Sequence, residues 1–161
     1  MDTKEIHQTL SEKFDTDKIL IVNEKSYQPT LQIPVDIFNN VCQFLYEDEQ
    51  FFFDFLACLT GIDNGIEKNT MEVIYHLTSI PYQRNIILKV ILPREKPSVP
   101  SVSGIWQTAN WHEREAYDLI GIQFENHPDL RRILLAQDWE GHPLRKDYQE
   151  QELYHGIKVK Y

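Results

Sequence analysis

The sequence predicts an α+β domain with a mainly antiparallel sheet packed by helices, and three observations carry that prediction. Met71 to Ser79 alternates Val73, Tyr75 and Leu77 against Glu72, His76 and Thr78, while Arg84 to Leu92 sets Ile86, Leu88 and Val90 against Ile87, Lys89 and Ile91. Each run has the two-residue period of a strand, and the turn around Pro81 and Tyr82 is short enough to pair them antiparallel. Helical and strand patterns elsewhere come in runs, without the βαβ alternation that builds a parallel sheet. The 161 residues suit a single core, expected over residues 1–137, with an extended C-terminal arm over 138–161.

From the N-terminus, Ile6, Leu10 and Phe14 recur every four residues within Lys4 to Phe14 and predict a helix bounded by Asp15. Ile19 to Val22 and Leu31 to Ile33 read as short strands. Pro34 then sits just inside a helix carrying Ile37, Val41, Phe44 and Leu45, which Glu47 to Gln50 ends. Phe51 to Thr60 is a continuous apolar run. It predicts a strand buried on both faces, with a helical first part the alternative. Asp63, Asn64 and Gly65 turn the chain. Pro93, Pro97 and Pro100 make a polar connector, and Ser101 or Ser103 starts a short helix carrying Ile105 and Trp106.

The next helix has the clearest local signals. Asn110 as N-cap and Glu113 three residues later read as a capping box. Glu113 and Glu115 lie where the helix dipole favours negative charge, Arg114 is placed to meet Asp118 at i,i+4, and Gly121 ends the helix after about three turns. The tail from Gln149 is too polar to pack a core face of its own. A partner is expected to tie it down.

Composition narrows the function. Net charge is −9, with 25 Asp and Glu against 16 Lys and Arg, so the basic footprint of a nucleic-acid or anionic-lipid binder is missing. Cys42 and Cys58 sit in apolar surroundings and read as buried free thiols. An iron–sulfur cluster takes about four Cys ligands, so this chain does not supply one alone. No apolar run approaches the roughly 20 residues that span a bilayer, and Met1 to Lys13 is too polar for a signal sequence.

Catalytic patterns are equally thin. His112 and Glu113 begin a zinc-protease motif, but the position of its second imidazole is Ala116. His127, Asp138 and His142 form a distributed candidate metal site for a hydrolase; each histidine precedes a proline, so turn formation explains them equally well. No glycine-rich phosphate loop occurs, and neither Ser101 nor Ser103 lies in a nucleophile elbow. The basic residues Arg131, Arg132, Arg145 and Lys146 are interleaved with Leu130, Trp139, Leu144 and Tyr148, a mixture typical of hot spots at protein interfaces.

Three linked blocks complete the reading. Trp111-x-Glu113-Arg114-Glu115-x-Tyr117-Asp118-Leu119-Ile120-Gly121-Ile122-x-Phe124, then His127-Pro128-Asp129-Leu130-Arg131-Arg132-Ile133-Leu134, then Asp138-Trp139-x-Gly141-His142-Pro143-Leu144-Arg145-Lys146-Asp147-Tyr148, closely resemble the 30 kDa subunit family of proton-translocating NADH:quinone oxidoreductase, respiratory complex I. Looser similarity runs back to about Phe51. The resemblance implies a structural subunit of the peripheral arm on the cytoplasmic side of a bacterial membrane, contacting the 49 kDa-like subunit and other peripheral-arm subunits. It implies no cofactor in this chain, with FMN, iron–sulfur clusters and quinone on its partners, and membrane contact only through the complex. The residues expected at the partner surface are Trp111, Glu113, Arg114, Glu115, Asp118, Arg131, Arg132, Asp138, Trp139, Arg145, Lys146, Asp147 and Tyr148. A related scaffold subunit occurs in membrane-bound nickel–iron hydrogenases and is the alternative within the same role.

Overall fold

The computed structural model describes residues 3–22 and 29–158; the expected arm's last three residues, Val159 to Tyr161, lie outside them. In chain order the elements are α1 (Thr3–Lys13), β1 (Leu20–Val22), β2 (Thr30–Gln32), α2 (Val35–Glu47), β3 (Phe55–Asp63), β4 (Thr70–Ser79), β5 (Arg84–Pro93), β6 (Ser98–Pro100), α3 (Ala109–Ile120), β7 (Gln123–Glu125), β8 (Leu153–Tyr154) and β9 (Ile157–Lys158). The main sheet has five strands in the order β1-β2-β5-β4-β3. Three of its pairings are antiparallel and β2–β5 is parallel, so the sheet is mixed but mainly antiparallel as expected.

The β4–β5 hairpin pairs Thr70 with Pro93 through Ser79 with Arg84. Alternation does what its period requires: Met71, Val73, Tyr75 and Leu77 are buried with Ile86, Leu88, Val90 and Leu92, while the intervening residues look outward. The inward face packs on α2, where the Phe38 ring lies 4.7 Å from that of Tyr75. Ile6 and Leu10 of α1 join the same core. Burying such side chains is worth roughly 1.5–3 kcal/mol each.

Several boundaries differ from the sequence reading, for identifiable reasons. Residues Phe51 to Asp54 are neither strand nor helix. Phe51 and Phe52 return their N–H groups to Asp48 O, and Phe53 to Leu45 O, so this apolar stretch satisfies the free carbonyl end of α2 before the strand begins at Phe55. Nor is β3 buried on both faces. It is an edge strand, with Phe55, Ala57 and Thr60 exposed and Leu56, Leu59 and Asp63 turned inward.

The proline connector contains β6, paired in parallel with β7 through Val99 and Phe124, both buried. The expected short helix is only a turn, in which Ile105 and Trp106 both donate to Val102 O. The main motif helix starts earlier than the capping box predicts. Its N-cap is Thr108, whose hydroxyl donates to Leu56 O of β3 rather than capping its own helix, and Glu113 is therefore the fifth helical residue. The C-terminal end agrees with expectation. Gly121 adopts a left-handed φ of 82° and returns its N–H to Ala116 O and Tyr117 O. Beyond residue 148, β8 and β9 form a small hairpin around His155 and Gly156, where the sequence reading placed no self-packed element.

Candidate functional site

The C-terminal end of α3 leaves backbone carbonyls that the helix cannot satisfy, and the chain returns twice to satisfy them. On the first pass, residues 129–135 run beside the helix; on the second, residues 139–147 cross its end. Arg132 Nη1 donates to Asp118 O at 3.1 Å, and His142 Nδ1 lies 2.9 Å from the same oxygen. A carbonyl only accepts, so this histidine carries its proton on Nδ1; burial, with the charges of Arg145 and Arg132, holds its pKa below the ordinary value. Leu144 N–H donates to Leu119 O at 2.9 Å and Arg145 Nε to Ile120 O at 2.6 Å. Two guanidiniums thus stand at the negative end of the helix dipole.

Asp118 is the anchor of the first pass. Its side chain is fully buried, with Arg132 Nη1 2.7 Å from Oδ1 and the amides of Ile133, Leu134 and Leu135 at 3.0, 2.8 and 2.9 Å from Oδ2. Burial alone would raise this carboxyl's pKa. Those four donors outweigh it and hold the pKa below the usual range. Arg132 continues through Nη2 to Trp139 O and Gly141 O, both at 2.8 Å, and so ties the two passes together.

Asp63 anchors the second pass. It is buried at the end of β3, accepts Arg94 Nε and Nη2 at 2.8 and 2.9 Å, and takes the amides of Gly65 and Lys146 at 2.9 Å each. The Arg94 guanidinium, first among these, pushes its pKa well below the carboxylate range. Arg94 also reaches Asp147 Oδ1 at 2.5 Å. Sequence reading missed both partners, taking Asp63 as a turn former and passing over Arg94 in the proline connector. An ion pair across 31 residues leaves no local pattern to find.

The residues expected at a partner surface therefore have different fates. Glu113 and Asp118 are buried and spent on the chain's own bonds, a correction to their expected outward role. The i,i+4 pair also fails: Arg114 donates to Arg131 O and Arg132 O at 3.2 and 3.3 Å and stands over the Trp111 ring at 5.8 Å, because the first pass has taken Asp118. Arg132, Arg145 and the backbone of Lys146, with Asp147, build the scaffold just described. Trp111, Glu115, Arg131 and the side chain of Lys146 remain at the surface, Arg131 pairing there with Asp129. At the foot of the arm, Trp139 donates to Tyr148 OH at 3.2 Å and packs its ring 5.2 Å from Tyr154, while Asp138 accepts Tyr154 OH at 2.8 Å and pairs with His155. These bonds all lie within the expected arm, residues 138–161; it is Arg132, His142, Leu144, Arg145 and Lys146 that bond across its expected start.

Trp111 is 64% exposed, Leu134 63% and Leu144 59%. Trp111 is on α3 and the two leucines sit on passes bonded directly to it, so large apolar side chains are held outward on a rigid support. The distributed hydrolase site is not formed. His127 Nδ1 accepts the Asp129 amide, His142 is bonded to Asp118 O, and Asp138 faces Tyr154 and His155. No three His, Cys, Asp or Glu among the described residues are grouped to hold a metal.

The family model for the respiratory-chain NADH dehydrogenase 30 kDa subunit matches residues 31–153, from β2 through both passes to β8. The chain belongs to that family. A NADH-quinone oxidoreductase subunit of Chloroherpeton thalassium is 44% identical over 96% of this chain, which spans 64% of that relative's length. Its counterpart in Chlorobium phaeobacteroides is 40% identical, with 99% of each chain covered. Among solved structures, the trypsin-resistant fragment (1-134) of Nqo5 matches at 28% identity with a TM-score of 0.63, over 78% of this chain and 99% of that one. A chain of the archaeal membrane-bound sulfane sulfur reductase, a respiratory membrane complex, shares the fold at a TM-score of 0.73 and 22% identity, over 91% of this chain and 85% of that one. Among the described residues of this 30 kDa family member, no helix is long and apolar enough to cross a membrane.

Proposed function

We propose that the chain is a structural subunit of the peripheral arm of an NADH:quinone oxidoreductase, in which electrons pass from NADH through FMN and iron–sulfur centres on other subunits to quinone, coupled to proton translocation. It holds no cofactor itself. Its own work is to seat a 49 kDa-like subunit, with other peripheral-arm subunits beside it, on the cytoplasmic side of a bacterial membrane that it meets only through the complex. The observation that carries this reading is the exposure of Trp111 on α3 and of Leu134 and Leu144 on the two passes bonded to that helix, passes that Asp118 and Asp63 anchor. Exposed large apolar side chains on a braced frame, with the charged Arg131, Glu115 and Lys146 also at the surface, have the make-up of a docking surface. The likeness to NADH-quinone oxidoreductase subunits of two bacteria supports the choice of complex.

Isolation of the native assembly through a tag on this chain tests the reading. The proposal expects NADH-oxidising, quinone-reducing activity and a 49 kDa-like protein in stoichiometric amount. Recovery of a hydrogen-evolving assembly, or of the chain alone from gently solubilised membranes, would refute it.

A further inference from the structure

Three carboxyls are buried among the described residues, and one is unlike the others. Asp118 and Asp63 each face an arginine and backbone amides. Glu113 is as deeply buried, with no side-chain exposure, yet no Lys or Arg among the described residues pairs with it. Its Oε1 takes the Val102 amide at 2.8 Å and its Oε2 lies 2.6 Å from Ser101 Oγ. The nearest group able to carry positive charge is His127, whose Nε2 is 3.8 Å from Oε2. That ring is held as the neutral tautomer, because its Nδ1 accepts the Asp129 amide and the proton on Nε2 points to Asn110 O at 3.2 Å. From β4 the Tyr75 hydroxyl, buried and without a partner, and from α2 the Cys42 thiol complete its titratable surroundings; the pKa of each is raised, first by burial and then by Glu113. A buried carboxyl with two neutral donors and no counter-charge favours its acid form.

The contacts on the other side of Glu113 lead outward. Ser101 Oγ is 2.8 Å from Ser103 Oγ and accepts the Ser103 amide at 3.2 Å; both serines are half-buried, between the carboxyl and solvent. With Glu113 ionised, the Ser101 hydroxyl donates to it and accepts from Ser103. With Glu113 protonated, the same 2.6 Å contact reverses: the carboxyl donates to Ser101 Oγ, whose own hydrogen turns to Ser103. Every donor and acceptor of Ser101 is used in both arrangements, so neither state leaves a buried polar group orphaned.

We propose that Glu113 is a proton-exchanging site inside the domain, connected to solvent through the hydroxyls of Ser101 and Ser103. In the transfer the Glu113 proton passes to Ser101 Oγ, the Ser101 proton to Ser103 Oγ, and the Ser103 proton to water. Both hydroxyls end neutral and the carboxylate keeps its electron pair. The inference stands independently of the partner proposed above.

Infrared spectroscopy of the purified full chain in its carboxylic-acid C=O region, from about pH 5 to about pH 9, tests it. The expected result is a band lost with a midpoint near 7 and absent in Glu113→Gln. Ser101→Ala removes a hydrogen bond that favours the carboxylate, and is expected to raise that midpoint and slow exchange of the acid proton for deuterium. No acid band in the wild-type chain, or a band unchanged in Glu113→Gln, overturns the site. An unaltered midpoint and exchange rate in Ser101→Ala overturn the hydroxyl connection. If Glu113→Gln fails to fold, titration of the glutamate side-chain carbons by NMR in the wild-type chain decides: one glutamate titrating near 7 supports the site, and none overturns it.

Discussion

Replacing Asp118 by Ala strips the anchor from the first pass over α3. Arg132, whose side chain is 15% exposed in the wild-type chain, loses the counter-charge 2.7 Å from its Nη1, and the amides of Ile133, Leu134 and Leu135 lose their shared acceptor. Removing one partner of a buried ion pair costs about 3 to 5 kcal/mol, which for a domain of this size is a fall in Tm of roughly 6 to 20 °C at about 2 to 4 °C per kcal/mol. Asp118→Asn keeps one acceptor and the shape, so it is expected to fall between wild type and Ala. Urea unfolding gives the magnitude, and hydrogen exchange gives its location: the amides of residues 133–135 and Leu144 should lose protection while the β4–β5 hairpin keeps its own. The contribution also has a sign in pH. Because the folded pKa is depressed, it is fully present above the ordinary carboxylate value of about 3.9 and lost as pH falls through the folded value, so wild type and variant converge in acid. A loss below about 1 kcal/mol at neutral pH, the worth of an exposed pair, would refute the reasoning.

Gly121→Ala combines a left-handed φ of 82° with a new Cβ 2.6 Å from His142 Cδ2 and 2.7 Å from Arg145 Nη2; thermal melts are expected to show about 1 to 3 kcal/mol of destabilisation. Deleting Gln149 to Tyr161 removes, among the described residues, contacts to Glu140, Asp138 and the Trp139 ring, and is expected to change the free chain's unfolding energy by less than about 1 kcal/mol while weakening partner capture. Burial raises the Glu113 pKa from 4.5 to about 7, so its contribution is fully present below about 4.5 and lost as pH rises through about 7. That difference corresponds to roughly 3 kcal/mol of stability. In urea melts across that window, Glu113→Gln should flatten the decline.

Where one residue's environment is set by its neighbours in sequence, the fold was legible. The β4–β5 hairpin follows from two alternating runs, and the end of α3 from a glycine free to take a positive φ. The failures share a cause. Asn110 and Glu113 have the spacing of a capping box, but Thr108 bonds to the neighbouring strand and α3 starts earlier, which turns Glu113 into the core. Arg114 and Asp118 are correctly spaced for a helical pair, yet a segment 14 to 17 residues further on supplies Asp118 with better donors. Phe51 to Phe53 looked like strand because they are apolar, and are instead the cap of the preceding helix. The candidate site was found as a region through its motifs. Which of its residues face outward depends on two long-range carboxylate anchors that no local period encodes.

The most direct test of the account is the affinity of the full chain for the proposed 49 kDa-like partner, measured by calorimetry for wild type and Trp111→Ala. Trp111 is 64% exposed and makes its described contact with Arg114, so its removal should leave the melting temperature almost unchanged. As an anchor of the docking face it is expected to carry about 2 kcal/mol of binding, a weakening of about 30-fold in Kd. An unchanged Kd in a variant that melts like wild type would contradict the claim that this face seats the partner.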